Sequence, residues 1–271
     1  AQVIYKHGPP GCMKWKNWDL LPLRSEEVLI KHTAIGVNAA DTYHRGGIDH
    51  PWKVSDFPLV VGFEAVGVVE NIGENVTNFK IGDKVAYAIP PLGSYSEMRN
   101  YPINNLIHLP HDLDDEVVAA SLMKGITAYY LIHKTYHVQK KDFILVHAAA
   151  GGTGLILCQW AKHLGAKVIG TVSSIEKAEL ANKFGCDFPI IRTKEDFVEK
   201  VHEITNGKGV SVAYDGIGKL TLRDTLKCIK PLGYCVAYGH VSGVPEPIDI
   251  VNELGAMGSL FITRPAVMHY M

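Results

Sequence analysis

Residues 143–154 read FILVHAAAGGTG, and the chain runs on directly into LILCQWAKHLG. Four apolar residues, a loop of small residues and a stretch with helical spacing succeed one another without interruption. This order constrains the fold more than any other segment does. The first N–H groups of a helix lack intrahelical partners, so a strand, a glycine turn and a helix build a cradle for an anion. The motif reads A-x-G-x-x-G across Ala149, Gly151 and Gly154, with alanine where a dinucleotide fingerprint usually begins with glycine.

The segments beyond the loop support the same reading. Strand-like runs recur at 143–147, 167–172, 188–191, 210–215, 234–239 and 259–263. Helical stretches fall between them near 154–164, 175–184, 194–205 and 219–229. Strands alternating with helices predict an α/β architecture, a doubly wound parallel sheet covered on both faces. The earlier part differs: glycine and proline punctuate it, and runs such as EEVLIKHTAIGV, EAVGVVENIG and GDKVAYA predict strands without helices between them. A β-rich domain with barrel-like curvature fits that pattern. Residues 112–135 have a helical pattern and are expected to join the two halves, which gives domains at 1–122 and 123–271.

Bulk properties narrow the function classes. The 271 residues are 47% apolar and 20% charged, with a formal net charge of −1, so no clustered positive charge argues for nucleic acid. Residues 143–161 carry no charge when His147 is neutral, but the glycines and the change of periodicity argue against a membrane span. No basic-then-apolar leader opens the chain, and the cysteines, at 12, 158, 186, 228 and 235, form no C-x-x-C pair. Free thiols in a reducing, cytoplasmic compartment are the expectation.

A dinucleotide site places the end of its second strand against the adenosine ribose. Here that strand, KVIGTV, ends at Ser173 and Ser174 with no acidic residue to bind both ribose hydroxyls, and Lys177 comes one turn later. Hydroxyls and a cation suit a 2′-phosphate, which favours NADP over NAD. By position alone Lys177 reads equally well as part of a solvated helix face with Glu176, Glu179 and Lys183. Arg192, just past the third strand, offers a second cation, although an exposed loop arginine is the default reading.

The segments IGVNAADTYHRGG (35–47), GFEAVGVVENIGENV (62–76), GDKVAY (82–87), GSYSE (93–97), LMKGITAYYL (122–131), HAAAGGTGL (147–155), YDGIG (214–218) and GSLFITRP (258–265) together resemble the zinc-free NADPH:quinone oxidoreductases. These zeta-crystallin-like proteins belong to the medium-chain dehydrogenase/reductase superfamily. The resemblance implies a Rossmann-type sheet bearing NADPH plus a GroES-like catalytic domain. Zinc-dependent relatives carry a cysteine where Asn38 stands and a histidine where Phe63 stands, and an amide and a phenyl ring do not replace those ligands. His133 and His137 have metal-like spacing, but no Glu follows the first and no third ligand is near in sequence. The expectation is therefore no metal, and a substrate that already accepts electrons well.

The resemblance further implies that Asn38 and Tyr43 lie beside nicotinamide and substrate, as hydrogen-bond donors to a quinone oxygen or to the nicotinamide ribose. Thr127 and Tyr130 would stand near the cofactor, while Gly151, Gly152, Thr153 and Gly154 approach the pyrophosphate. Tyr238, Gly239 and Ser242 come after a strand at its carboxyl end, and Phe261, Ile262 and Thr263 would pass close to the nicotinamide. That last strand pairs across a two-fold axis in relatives, so a homodimer is expected. Relatives often carry an aromatic residue where Asp49 and Arg192 stand, which implies altered pocket shape and adenine contacts. They also continue past the position of Met271 to complete the first domain, so that domain is expected to lack its closing segment. Quinone reduction is the leading function. An NADPH-dependent 2-alkenal or enone reductase and a low-turnover NADPH-binding structural or regulatory protein are the alternatives.

Overall fold

In the computed structural model, which describes residues 1–48 and 56–270, the chain divides into two units, Ala1–Met123 and Lys124–Met271. Asp49 and Met271 lie outside the described residues.

The first unit is built from antiparallel strands: β1 (Gln2–Ile4), β2 (Lys14–Trp15), β3 (Glu27–Ile35), β4 (Leu59–Val60), β5 (Ala65–Ile72), β6 (Lys84–Tyr87), β7 (Met98–Pro102) and β8 (Ile107–His108). They form a five-stranded sheet in the order β7-β3-β5-β6-β8 and a three-stranded sheet β2-β1-β4. In β3, Val28 and Ile30 point inward, two residues apart as the strand period requires, to pack with Val69, Val85, Tyr87 and Tyr101. Burying each such aliphatic side chain contributes roughly 1.5–3 kcal/mol.

One element departs from the all-strand expectation. Helix α1 (Ala39–Gly46) interrupts the strands directly after β3. Its cause is local: Asn38 and Asp41 form a reciprocal capping box, and Gly47 closes the far end at φ 68°. The helical residues 112–135 become α2 (Asp115–Tyr130), continued by a wider π-helical turn at Leu131–Thr135.

The second unit carries β9 (Phe143–Val146), β10 (Lys167–Val172), β11 (Phe188–Ile191), β12 (Val210–Asp215), β13 (Ile229–Ala237) and β14 (Phe261–Thr263), with helices α3 (Gly152–His163), α4 (Ile175–Lys183), α5 (Phe197–Ile204) and α6 (Leu222–Lys227). All six strands are parallel, in the order β11-β10-β9-β12-β13-β14. The reversal at β9 is a topological switch point, the place where open α/β sheets bind ligands. Ile144 and Val146 pack with Leu157 and Ala161 on one face, whereas Leu145 packs with Val201 and Leu226 on the other. Apolar residues on both sides explain why the strand reads as a continuous hydrophobic run.

The largest difference from the expected strand bounds is in β13. Strand β13 begins at Ile229, paired with Val210, and bulges before resuming at Tyr234 opposite Val212. The bulge absorbs Leu232 at φ 60°, so the preceding helix ends at Lys227. No helix among the described residues is long and apolar enough to cross a membrane. All five cysteines are free thiols; four are buried and Cys12 is half-exposed.

Candidate active site and cofactor loops

The loop after β9 explains its own composition. Ala149 is fully buried, and its N–H donates to the Thr171 carbonyl at 3.0 Å. Its methyl faces Gly170 of β10, where an added Cβ would come within 2.6 Å of both the Ala149 Cβ and the Cys186 Sγ. Alanine replaces the usual first glycine because the neighbouring strand has given up its side chain. Gly154 packs against the same turn, and a Cβ there would sit 2.9 Å from the Ala149 Cα. Gly151 caps α3 from an extended conformation, leaving Gly151, Gly152 and Thr153 at the exposed, N–H-bearing end of the helix.

The tip of β10 gathers hydroxyls and cations. Ser174 caps α4, its Oγ accepting the Lys177 N–H at 3.3 Å, and the Lys177 Nζ donates to Ser173 Oγ at 3.1 Å. Arg192 lies beside them because its N–H donates to the Val172 carbonyl at 3.0 Å. Lys177 and Arg192 are both exposed, as a cation needs to be to meet a phosphate. Helix N-terminus, glycine loop and this charged tip together fit a dinucleotide bearing a 2′-phosphate.

Behind the loops runs a buried polar chain that sequence reasoning did not select. His147, directly after β9, places Nδ1 2.9 Å from Thr171 Oγ1 and Nε2 2.9 Å from Thr225 Oγ1. The Thr225 hydroxyl has acceptors on its other side, Thr221 O at 2.8 Å and Asp215 Oδ2 at 3.1 Å. Its proton therefore points away from the imidazole, which assigns the Nε2–H tautomer to His147 and leaves Nδ1 accepting from Thr171. Burial pushes the His147 pKa below the ordinary histidine range, against the pull of Asp215. Asp215 accepts the N–H groups of Ile217 at 2.7 Å and Gly218 at 3.0 Å, which holds the loop beyond β12.

Of the other cofactor-side candidates, Gly239 and Ser242 bond to that loop. The Gly239 N–H donates to the Asp215 carbonyl at 3.3 Å, and the Ser242 Oγ donates to Ile217 O at 2.7 Å. The Tyr238 carbonyl accepts from Arg264 at 2.9 Å. On α2, Tyr130 is buried and stacks on Tyr270 with ring centres 4.6 Å apart, and burial pushes its phenol to about 12. Thr127 lies one turn earlier and hydrogen-bonds Tyr130. In β14, Phe261 stacks on Tyr234 at 4.7 Å, with Ile262 and Thr263 next along the strand that ends the sheet.

In the first unit, Asn38 stands at the start of α1, and Tyr43 is buried five residues further along. Asn38 N–H donates to Asp41 Oδ2 at 2.8 Å, and the Tyr95 hydroxyl donates to the same oxygen at 2.8 Å. The Asn38 Nδ2 donates to Glu64 Oε2 at 2.6 Å. Phe63 fills its position with a buried ring, packed edge-on against His44 at 6.1 Å. His133 and His137 have ring centres 6.1 Å apart, and His133 packs on Trp160. Among the described residues no three His, Cys, Asp or Glu side chains converge as a metal site.

These features define a two-domain dehydrogenase/reductase. Residues 24–142 match the alcohol dehydrogenase GroES-like domain, and residues 152–268 match the zinc-binding dehydrogenase domain. A 2-haloacrylate reductase from a Burkholderia species is 54% identical over 273 residues, spanning 100% of this chain and 82% of that protein. A quinone oxidoreductase of Pseudomonas aeruginosa is 42% identical over 266 residues, covering 97% of this chain and 80% of its own. The crystal structure of Escherichia coli quinone oxidoreductase complexed with NADPH superposes with a TM-score of 0.94 at 40% identity, covering 99% of this chain and 82% of that one. The chain belongs to the quinone oxidoreductase family of the medium-chain dehydrogenase/reductase superfamily.

Proposed function

We propose that this protein is an NADPH-dependent reductase of quinones. The observation that carries the reading is the β10 tip, where the Lys177 ammonium meets Ser173, Arg192 is tied to the strand end by its backbone, and no acidic residue ends the strand to oppose a 2′-phosphate. NADPH, when bound, supplies the reducing equivalents. The chain's own part is to bind and orient. The glycine loop with Thr153 takes the pyrophosphate, and Ser173, Ser174, Lys177 and Arg192 take the phosphorylated ribose. Thr127, Tyr130, Tyr238, Gly239, Ser242 and residues 261–263 frame the rest of the cofactor. Asn38 and Tyr43 supply hydrogen-bond donors to the acceptor oxygen, stabilising negative charge as it develops. The Tyr43 phenol acts by orientation.

We assign the catalytic domain to residues 1–122 and the cofactor domain to 123–271. The exposed edge of β14, with Phe261 facing solvent, supports a homodimer formed by strand pairing. The free thiols support a cytoplasmic location. Sedimentation velocity at micromolar concentration is expected to show a dimer.

A second reading has one specific observation behind it. The relative that shares 54% identity is a 2-haloacrylate reductase, so an activated carbon–carbon double bond is the competing acceptor. NADPH oxidation measured side by side with 1,4-benzoquinone, a naphthoquinone, a 2-alkenal and 2-chloroacrylate separates the two. Turnover of the quinones is expected, and turnover of the alkenes alone overturns the quinone reading. Tight NADPH binding without turnover of any acceptor would instead indicate the low-turnover structural role.

A further inference from the structure

Glu64 is fully buried directly before β5, in a catalytic domain whose other candidate groups, Asn38 and Tyr43, stand at the N-cap of α1 and within it. Its two carboxyl oxygens face different elements. Oε2 accepts from the Asn38 Nδ2 at 2.6 Å, and Oε1 accepts from the backbone N–H of Met123 in α2 at 2.7 Å. Its own carbonyl accepts the Gly36 N–H at 3.0 Å. A Cβ on Gly36 would run into this carboxyl group and into the Ala119 carbonyl, so the residue two before Asn38 must be glycine for the contact to form.

We propose that Glu64 is a positioning residue for Asn38. A carboxylate only accepts hydrogen bonds, so it fixes which end of the Asn38 amide is the NH2 end and turns the carbonyl end away. Asp41 holds the Asn38 backbone at the same time. The amide is locked before any acceptor arrives, and its donor orientation is no longer part of the cost of reaction. This inference rests on the proposed contact between Asn38 and the electron acceptor.

The test is a set of four variants, Glu64→Gln, Asn38→Ala, Asn38→Ala/Glu64→Gln and Asn38→Asp/Glu64→Gln, compared with Asn38→Asp alone. The assay uses whichever quinone or alkene the unmodified protein reduces. Glu64→Gln is expected to lower kcat about 10- to 100-fold, the scale of a misoriented group. In the Asn38→Ala background it is expected to lower kcat no further. Additive losses, or an unchanged kcat in folded Glu64→Gln, overturn the proposal.

Asn38→Asp places two carboxyl groups in contact, so its kcat/KM profile is expected to gain a pH dependence from the proton they share. In Asn38→Asp/Glu64→Gln the glutamine carbonyl accepts from Met123 while its NH2 donates to Asp at position 38. The melting temperature is expected to recover and the extra pH dependence to vanish. Matching pH profiles for these two variants refute the contact even if Glu64→Gln does not fold. An Asn38→Ala variant with full kcat would instead remove the catalytic role of Asn38 itself, a distinct failure.

Discussion

One neutral imidazole bridges two strand ends and a helix: His147 Nδ1 meets Thr171 Oγ1, and Nε2 meets Thr225 Oγ1, each at 2.9 Å. The residues before the glycine loop, at the β10 tip and in α6 are thereby tied to one side chain. His147→Phe substitutes a larger apolar ring and leaves the Thr171 proton without its acceptor, while Thr225 keeps Thr221 O and Asp215 Oδ2. A buried hydroxyl orphaned in this way costs about 1–3 kcal/mol. Urea denaturation of the variant is expected to show a loss of that order, and a loss below about 1 kcal/mol would mean that the Thr171 hydroxyl re-pairs locally.

A second histidine sets a pH limit. His32 is wedged between the Ser96 carbonyl at 2.7 Å and the Tyr87 hydroxyl at 2.9 Å. Burial lowers its pKa from 6.5 to about 4, with Arg99 pushing the same way and the Ser96 bond opposing. The unfolded chain binds this proton more readily than the folded one. Stability from His32 is therefore fully present above 6.5 and is lost as pH falls toward about 4. The whole effect is on the order of 3 kcal/mol. Unfolding free energies at about pH 4.5 and pH 7 are expected to converge in His32→Gln relative to the unmodified protein, and an unchanged difference would place the acid sensitivity elsewhere.

On the proposed reading, cofactor choice is set at Lys177. Its ammonium group already hydrogen-bonds Ser173 and lies in the same strand-tip cluster as Arg192. Lys177→Ala removes one charge-assisted contact to a phosphate, worth about 1.5–3 kcal/mol, or roughly 10- to 100-fold in binding. Isothermal titration is expected to show that loss for NADPH and little change for NADH. Equal losses for the two cofactors would return Lys177 to the solvated helix face.

Ala149 and Gly170 exchange volume across the β9–β10 boundary. Gly170→Ala forces a methyl within 2.6 Å of the Ala149 Cβ and is expected to destabilise by about 1–3 kcal/mol. Adding Ala149→Gly relieves that contact while Cys186 Sγ still crowds the new methyl, so recovery is expected to be partial. Thermal unfolding of the single and double variants measures this. No recovery at all would place the strain on Cys186 alone.

The periodic parts of the chain are legible without the structure. Every strand expected after residue 140 is present, and β10, β11 and β12 have the expected bounds. In doubly wound sheets the apolar runs and the glycine turn are dictated locally, so they survive as sequence signals. Helix α1 is not legible as a helix. Its few residues depend on a capping box and on Gly47 rather than on apolar periodicity. Glu64 and Asp215 sit inside recognisable motifs, yet their roles are invisible there. A carboxylate in a GFE or YDG string looks the same whether it faces water or a buried amide.

The sequence by itself determined the two-part architecture, the glycine turn between β9 and α3, the lack of an acid at the end of β10 and the family. Those features rest on short-range order, where neighbours in the chain are neighbours in space. Only the tertiary structure decided why alanine is tolerated at 149, that His147 is a neutral strut between Thr171 and Thr225, and that Glu64 grips Asn38 from 26 residues away. Each of these depends on volume or hydrogen-bond direction between segments that approach only once the sheets have formed.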